Sequence, residues 1–237
     1  MCPAQIQLCY GDILKAKADV CICSIHRSRD MKLFPVSHHI LRKAGATVQK
    51  QLNEKQCKIE ELGMGQVEMT EAGDLKSFKK LLFICLKSYI KGNEKYLLKS
   101  LIKCLEIAAK DKHTIVAVPA LATGGLNYPP EEVAKATLEA VALHNLNHGR
   151  TTTIKTVKVV LFDDDIDLIR TYVMVCNAGS TNLNDLYRTR ESRLSQRPSP
   201  GVTLATAPPD ETCYTDTTQE CKPPQATGIL QKVGSKN

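Results

Sequence analysis

The fold is clearest in the segment Thr114-Ile-Val-Ala-Val-Pro-Ala-Leu-Ala-Thr-Gly-Gly-Leu-Asn-Tyr-Pro-Pro130. Its first five residues form a largely β-branched run that is typical of a buried strand. A helical pattern follows over residues 131–144, and Pro130 suits the first helical turn because the donor that proline lacks is not needed there. Gly124 and Gly125 therefore predict a tight loop that joins a strand to a helix.

The same alternation of strands and helices continues on both sides of this segment. Residues 20–25 and 81–86 are apolar at nearly every position, as are strands of parallel sheets that are buried on both faces. The pattern predicts an α/β sandwich around a largely parallel sheet. The predicted strands are residues 6–10, 20–25, 66–70, 81–86, 114–118 and 156–162, and the predicted helices are residues 36–52, 94–110 with Asn93 as the N-cap, 131–144 and 166–176.

The composition separates a folded region from a polar tail. The chain has 237 residues, 43% of them hydrophobic, and no run approaches the roughly 18 apolar residues of a membrane span. After residue 176 the sequence is rich in Ser, Thr, Asn, Pro and Gly, and six of the 11 prolines lie there. We predict a domain over residues 1–176, a disordered tail over residues 177–237 and no membrane association. Arginines flank Ser192 and Ser195, which makes these serines candidates for phosphorylation, although a solvated linker is the simpler interpretation.

The cysteines and the first residues indicate a reducing compartment. The ten cysteines include no CxxC pair, and several lie in apolar segments, where a thiol behaves as a small hydrophobe. The first residues carry neither the basic nor the apolar segment of a secretory signal, so we expect the nucleus, the cytoplasm or both. Cys21 and Cys23 share one face of a strand, but no His or Cys partner has ligand spacing, and we predict no metal site.

The positive charge is concentrated in one region. The chain has 32 Lys+Arg against 25 Asp+Glu, and residues 27–112 alone hold 18 against 10. This surplus could attract a nucleotide, poly(ADP-ribose) or nucleic acid. Alternatively, residues such as Lys95, Lys99 and Lys103 form the solvated face of a helix.

Two loops are candidates for a binding site, because ligands of such sheets bind beyond the carboxyl ends of the strands. Gly11-Asp12-Ile13 presents a carboxylate directly after the first strand. In Ala122-Thr123-Gly124-Gly125 the missing side chains would let backbone N–H groups approach a phosphate. Each pattern is also common in turns that bind nothing.

The order of these motifs resembles the macro domain family. The resemblance spans residues 6–174 and is nearest to the macro domains of large ADP-ribosyltransferase-related proteins. It implies a three-layer α/β/α sandwich with a mixed, largely parallel sheet that binds ADP-ribose, free or attached to proteins, without a cofactor. The residues that carry it are Tyr10-Gly-Asp-Ile13, Ala18-Asp-Val20, Val118-Pro-Ala-Leu-Ala-Thr-Gly124, Tyr128-Pro129 and Val157-Lys-Val-Val-Leu-Phe-Asp163.

The resemblance also implies a role for individual residues. Asp12 would accept a hydrogen bond from the adenine amino group, and Ile13 would support the adenine ring. The glycine loop would line the phosphates and the distal ribose, and Phe162 or Asp163 would lie near the adenine. The implied ligand-binding residues are Gly11, Asp12, Ile13, Ala122, Thr123, Gly124, Gly125, Phe162 and Asp163, and none is implied as catalytic or metal-binding.

The first ribose-phosphate loop departs from the family's pattern. This chain has Cys23-Ser-Ile-His26 in place of Asn-Ala-Ala-Asn, and Leu33-Phe-Pro35 in place of three glycines. Added bulk and the N–H that Pro35 lacks remove backbone contacts, and losing two charge-assisted bonds would lower affinity by about a hundredfold or more. Three nearby cations could compensate, and Leu126 replaces an aromatic residue that is common in the second loop. These cations are Arg27, Arg29 and Lys32.

Three functions are compatible with the sequence. The first is a non-catalytic, monomeric domain that binds ADP-ribose or ADP-ribosylated proteins with weakened affinity. The second is a degenerate macro fold that binds protein, RNA or poly(ADP-ribose) through its surface. The third is an ADP-ribosyl hydrolase with His26 as the base, but an isolated histidine is more often an ordinary residue, so we do not expect catalysis.

Overall fold

The structure is a computed structural model and describes residues 3–56, 61–149, 151–162, 164–191 and 202–204. None of the helices in these ranges is long and apolar enough to cross a membrane. Its strands are β1 (Gln5–Tyr10), β2 (Val20–Ile25), β3 (Val67–Glu71), β4 (Lys80–Cys85), β5 (Ile115–Pro119), β6 (Thr156–Leu161) and β7 (Val202–Leu204). Its α-helices are α1 (Pro35–Ala44), α2 (Ala46–Gln56), α3 (Glu94–Lys110), α4 (Pro130–His148) and α5 (Ile166–Glu191).

One sheet forms the middle layer of the fold. Its strand order is β3-β4-β2-β5-β6-β1-β7, and every neighbouring pair is parallel except β3 and β4. The predicted mixed, largely parallel sheet in a three-layer α/β/α sandwich is therefore confirmed.

Both faces of the sheet are covered by helices, which explains the continuously apolar strands. Along β2, Val20 and Ile22 pack into the cluster formed with α3, α4 and α5. Cys21 and Cys23 point the other way, into the cluster formed with α1 and α2. Alternate residues of one strand thus belong to separate cores, because successive side chains of a strand point to opposite faces.

Asp19 fixes the amino-terminal edge of the sheet. Its Oδ2 accepts hydrogen bonds from the Thr114 amide (2.8 Å) and hydroxyl (2.9 Å) and from the Ile115 amide (3.1 Å). Its Oδ1 lies 2.8 Å from the Lys79 Nζ. Burial raises the pKa of this carboxyl, but these hydrogen bonds outweigh it and hold the pKa well below its usual range.

Two local predictions are wrong, and a third is confirmed in part. Residues 36–52 form two helices, because Gly45, at a φ of +79°, ends α1. Asn93 is the N-cap residue of α3 as predicted, but its side chain makes no capping bond, since its Nδ2 donates to the Ser88 carbonyl (3.3 Å). The last helix does not end at Cys176 but continues to Glu191.

The region predicted as a tail includes residues that the structure assigns to a helix and a strand. The end of α5 and the whole of β7, which pairs with β1, lie beyond residue 176. The rest of that region, including Ser192 and Ser195, lies outside the described residues, so its predicted disorder and phosphorylation stay predictions.

Candidate functional site

Four neighbouring parallel strands bring the predicted loops to one edge of the sheet. The strands β2, β5, β6 and β1 are adjacent, and their carboxyl ends point the same way. The segments that follow them are residues 26–34, 120–129, Phe162 and residues 11–13. The topology thus assembles in space motifs that are far apart in the sequence, at the edge where such folds bind ligands.

The glycine loop, residues 120–129, contains backbone N–H donors at two positions, Gly124 and Gly125, that carry no side chain. Among the described residues, the N–H groups of Thr123, Gly124 and Gly125 donate no hydrogen bond. A Cβ built on Gly124 or Gly125 would meet no heavy atom within 4 Å, so packing does not explain these glycines. The loop can therefore present several amide donors to an anion.

The glycine loop is held in shape by its own hydrogen bonds. The Tyr128 amide donates to the Ala122 carbonyl (3.0 Å), and the Thr123 hydroxyl donates to the Ala120 carbonyl (3.1 Å). Ala122 has a φ of +63°, a left-handed conformation that costs free energy for a residue with a Cβ. Leu126 is buried in the core, so its side chain anchors the loop.

The start of α4 contributes few donors of its own. Pro130 has no N–H, and Glu131 and Glu132 occupy the first turn. Their carboxylates lie 2.7 and 3.6 Å from the Lys135 Nζ. The donors for an anion therefore come from the glycine loop rather than from the helix terminus.

Asp12 follows a turn that requires glycine. Gly11 has a φ of +112°, and its N–H donates to the Leu161 carbonyl (2.8 Å), which ties this turn to the end of β6. The Asp12 Oδ1 accepts from the Leu14 amide (2.9 Å) and caps a short 3-10 helix. Its Oδ2 lies 3.4 Å from the Nε2 of His39 on α1. Ile13 is buried, in the core beside α1 and α2.

Phe162 is the exposed apolar residue at this end of the site. It directly follows β6, the strand bonded to β1, and its side chain is 59% exposed. An exposed aromatic ring next to a carboxylate is suited to a heteroaromatic base that carries an amino group. Asp163 lies outside the described residues.

The first loop is filled by side chains. Phe34 precedes α1, yet it packs against the core cluster on the opposite face of the sheet, so its ring lies across the sheet's carboxyl edge. It also meets the His26 ring edge-on, with a centroid distance of 6.2 Å. Leu33 is 53% exposed. Bulk therefore stands where the resemblance implies glycines.

His26 is engaged by its own loop. Its Nδ1 accepts a hydrogen bond from the Ser28 amide (3.2 Å) and lies 2.8 Å from the Ser28 hydroxyl. An imidazole that accepts at Nδ1 carries its proton on Nε2 when neutral, so its remaining nitrogen is a donor. The accepting nitrogen of His26 is thus already engaged by Ser28.

The expected compensation by three cations is wrong for Arg29. Its side chain is fully buried, and its guanidinium lies 3.1 Å from the Glu68 carboxylate. The other Glu68 oxygen lies 3.1 Å from the Lys55 Nζ. Arg27 is exposed, but it pairs with Glu61 at 3.3 Å. Lys32 is exposed and remains as a cation that a ligand can reach.

Sequence reasoning missed two residues that shape the site, His39 and Tyr89. His39 faces Asp12, and the Tyr89 ring packs edge-on against Tyr128 with a centroid distance of 5.1 Å. The Tyr89 amide also donates to the Leu126 carbonyl (2.8 Å), which joins the loop after β4 to the glycine loop. The position of the loop after β4, beside the predicted site edge, was the signal that could have drawn attention to Tyr89.

Cys21 and Cys23 do not form a reactive centre. Cys21 and Cys23 are buried, and burial raises the pKa of Cys21 to about 12 and that of Cys23 well above its ordinary value. These thiols are therefore protonated at neutral pH and are poor nucleophiles and ligands. Across the described ranges, no group of three or more His, Cys, Asp and Glu side chains is placed to hold a metal ion.

Comparisons with known proteins agree with this architecture. Residues 34–137 match the family model described as Macro domain. The chain is 29% identical over 164 residues to an uncharacterized protein of Saccharolobus solfataricus, covering 68% of this chain and 87% of that protein. It is 28% identical over 156 residues to the human protein mono-ADP-ribosyltransferase PARP14, covering 66% of this chain but only 8% of that protein.

Solved structures share the fold at low sequence identity. A macrodomain of Oceanobacillus iheyensis with ADPR matches with a TM-score of 0.60 and 22% identity, over 70% of this chain and 90% of that chain. A Trypanosoma brucei macrodomain in complex with ADP-ribose matches with a TM-score of 0.61 and 18% identity, over 71% and 67%. Residues 34–137 thus match the macro domain family model, and the described residues share the fold of these macrodomains.

Proposed function

We propose that this domain binds ADP-ribose, free or attached to proteins, without catalysing its release and with an affinity weakened by its first loop. The observation that carries the proposal is the glycine loop, in which the amides of Thr123, Gly124 and Gly125 donate no hydrogen bond within the described residues and open space lies where a Cβ of Gly124 or Gly125 would stand. Such a loop binds a diphosphate, because several aligned N–H donors stabilise anionic oxygens. We further propose that the protein works in the nucleus or the cytoplasm as a monomeric domain that recognises ADP-ribosylated proteins.

The geometry supports one orientation for the ligand. Asp12 and Phe162 lie at the end of the site formed by β1 and β6, and they suit the adenine ring with its amino group. The glycine loop after β5 lies two strands from β1, about 10 Å at ordinary strand spacing, and one strand from β6. The diphosphate would therefore lie over the glycine loop, with the distal ribose directed toward β2.

Titration calorimetry with ADP-ribose tests the proposal. Asp12→Asn keeps an oxygen for the cap on Leu14 but removes the charge and one acceptor, so affinity should fall by about ten- to a hundredfold. Gly124→Val places a side chain in the open space and should abolish binding, with a melting temperature close to that of the native protein.

Asp30→Asn is the matched control. Asp30 caps the second short 3-10 helix through the Lys32 amide (2.9 Å), as Asp12 caps the first. Its affinity for ADP-ribose should stay within a factor of about two to three of the native value, since no charge beside the proposed adenine site is lost. Absence of heat from the native protein at millimolar ADP-ribose would overturn the proposal.

The position of Phe34 favours a second candidate, a macro fold that serves only as an interaction surface for protein or nucleic acid. The ring already lies across the sheet's carboxyl edge, where a ligand would have to pass. Phe34→Ala separates the two functions. If ADP-ribose is the ligand, opening the loop should raise its affinity. If the surface alone is used, neither form responds to ADP-ribose, and RNA or protein binding is salt-dependent and unchanged.

The hydrogen bonds of His26 support the part of the proposal that the domain does not hydrolyse ADP-ribosylated proteins. Its Nδ1 accepts from Ser28, so this nitrogen is already engaged. Incubation with a mono-ADP-ribosylated protein should release no ADP-ribose above background. Release that is lost in His26→Ala would show that the domain is a hydrolase.

A further inference from the structure

The loop after β4, residues 86–93, borders the glycine loop. The Tyr89 amide donates to the Leu126 carbonyl (2.8 Å), and the rings of Tyr89 and Tyr128 pack edge-on. Tyr128 is 1% exposed, so this contact is part of the core and not a surface encounter. The part of a bound ligand that extends from the glycine loop toward β4 would therefore contact residues 86–93.

This loop presents cations and one apolar side chain to solvent. Lys87, Lys91 and Lys95 are exposed, and none forms an ion pair with a carboxylate in the described part of the chain. Ile90, between Lys87 and Lys91, is 70% exposed. We call Lys87, Ile90, Lys91 and Lys95 the lysine surface.

The nearest carboxylates are already engaged. Glu94 accepts a hydrogen bond from the Gly92 amide (2.8 Å), and Glu132 pairs with Lys135. Burial raises the pKa of the Cys85 thiol, and the charge of Lys87 is the largest influence that opposes this rise, while Glu61 adds to it. The exposed Lys87, Lys91 and Lys95 are thus cations that an external carboxylate can reach.

The opposite end of the same edge is acidic. Asp12 follows β1, and Asp164, Asp165 and Asp167 follow β6. With the strand order β4-β2-β5-β6-β1, the edge runs from cations through the uncharged glycine loop to carboxylates. A ligand whose amino group lies at Asp12 and whose diphosphate lies at the glycine loop directs its far end toward the lysine surface.

We propose that the lysine surface binds an acidic polypeptide segment that carries the ADP-ribose held by the glycine loop. This inference rests on the proposed function, since the ligand must first occupy the site. Lysines attract aspartate and glutamate side chains, and the exposed aliphatic Ile90 can pack against an apolar side chain between them. None of the four residues of the lysine surface is aromatic, the Tyr89 ring packs against Tyr128, and the Tyr96 ring lies under the Lys95 ammonium (5.3 Å from Nζ to the ring centroid), so a polypeptide fits better than a polynucleotide chain whose bases must stack.

Calorimetry with three ligands tests this inference. They are free ADP-ribose, a peptide rich in Asp and Glu that bears one ADP-ribose through a non-hydrolysable linkage, and poly(ADP-ribose). The native protein should bind the modified peptide about five- to tenfold more tightly than free ADP-ribose, as two or three exposed ion pairs can provide. The advantage should shrink with rising salt.

Charge reversal assigns the effect to the surface. In the double variant Lys87→Glu, Lys91→Glu the advantage of the peptide should disappear, while the affinity for free ADP-ribose stays within about twofold. The control is the double variant Lys103→Glu, Lys110→Glu, which makes the same charge change farther along α3 and should keep the advantage.

The outcomes separate the two proposals. An equal affinity of the native protein for peptide and free ADP-ribose, or an advantage that survives in Lys87→Glu, Lys91→Glu, overturns the lysine surface alone. A larger gain for poly(ADP-ribose) than for the peptide overturns the polypeptide as its occupant. Failure to bind free ADP-ribose and the peptide overturns the proposed function and, with it, this inference.

Discussion

The Nε2 atom of His39 lies 3.4 Å from the Oδ2 atom of Asp12, the carboxylate oxygen that does not cap the 3-10 helix. This is the oxygen left for a ligand, and the imidazole stands beside it. Because the side chain of Asp12 is 28% exposed and that of His39 40% exposed, ligand and imidazole would compete for the same oxygen in partly solvated surroundings.

His39→Ala should raise the affinity for ADP-ribose by about two- to fivefold, because it frees the Oδ2 of Asp12 from an interaction worth up to about 1 kcal/mol. Titration calorimetry with ADP-ribose measures this gain, with the exposed neighbour His38→Ala as control. A tenfold loss of affinity would instead show that His39 positions Asp12.

Asp19→Ala should lower the free energy of unfolding by about 2 to 3 kcal/mol, because it leaves the amides of Thr114 and Ile115 without their acceptor. The pKa of Asp19 is lowered in the folded protein, so its contribution is present above about pH 4 and is lost as the pH falls below that value. Urea unfolding at several pH values checks both statements. The control Asp167→Asn, at a side chain that is 95% exposed, should leave the dependence of the free energy of unfolding on pH unchanged. If Asp19→Ala also keeps the native dependence on pH, Asp19 is not the carboxyl responsible for it.

His144 should make the protein sensitive to mild acid. It is 1% exposed, and burial, aided by the charge of His148, lowers its pKa to about 4. Because the unfolded state binds the proton more tightly, stability falls as the pH drops from about 6.5 toward 4, by up to about 3 kcal/mol. In His144→Gln the melting temperature should fall less steeply with decreasing pH over this range. The control His148→Gln should keep most of the pH dependence of the native protein.

Arg29→Ala should destabilise the fold by about 3 to 5 kcal/mol, because it removes a fully buried guanidinium and leaves the partly buried Glu68 carboxylate with one cation fewer. Arg27→Ala is the matched control, since its pair with Glu61 is half-exposed on both sides and should contribute less than about 1 kcal/mol. Urea denaturation compares the two. Equal effects would show that Arg29 is not a structural cation.

Much of the fold could be predicted from the sequence, because its signals are local. The predicted strand over residues 20–25 and the predicted helix over residues 94–110 have the observed bounds, since a doubly buried strand and an amphipathic helix follow simple periodicities. The break at Gly45 could not be read from periodicity, because both flanking helices keep apolar residues at helical spacing. It depends on a positive φ that the pattern does not encode.

The site was less predictable, because its decisive contacts join distant residues. The turn at Gly11 and the open glycine loop follow from residue type. The burial of Arg29 depends on its ion pair with Glu68, which is 39 residues away in the sequence. Sequence patterns place charged residues at the surface, so they do not predict a buried arginine. His39 is one of two adjacent histidines, and only the packing of α1 shows that it, rather than His38, faces Asp12.

The order of strands along the sheet has a practical consequence for assays. The adenine end depends on β1 and β6, which come from opposite ends of the folded domain, and the glycine loop depends on β5 between them in space. No short fragment can hold all three. Binding of ADP-ribose would then report on completion of the whole sheet, so a ligand titration would double as a test of correct folding for any truncated or substituted form.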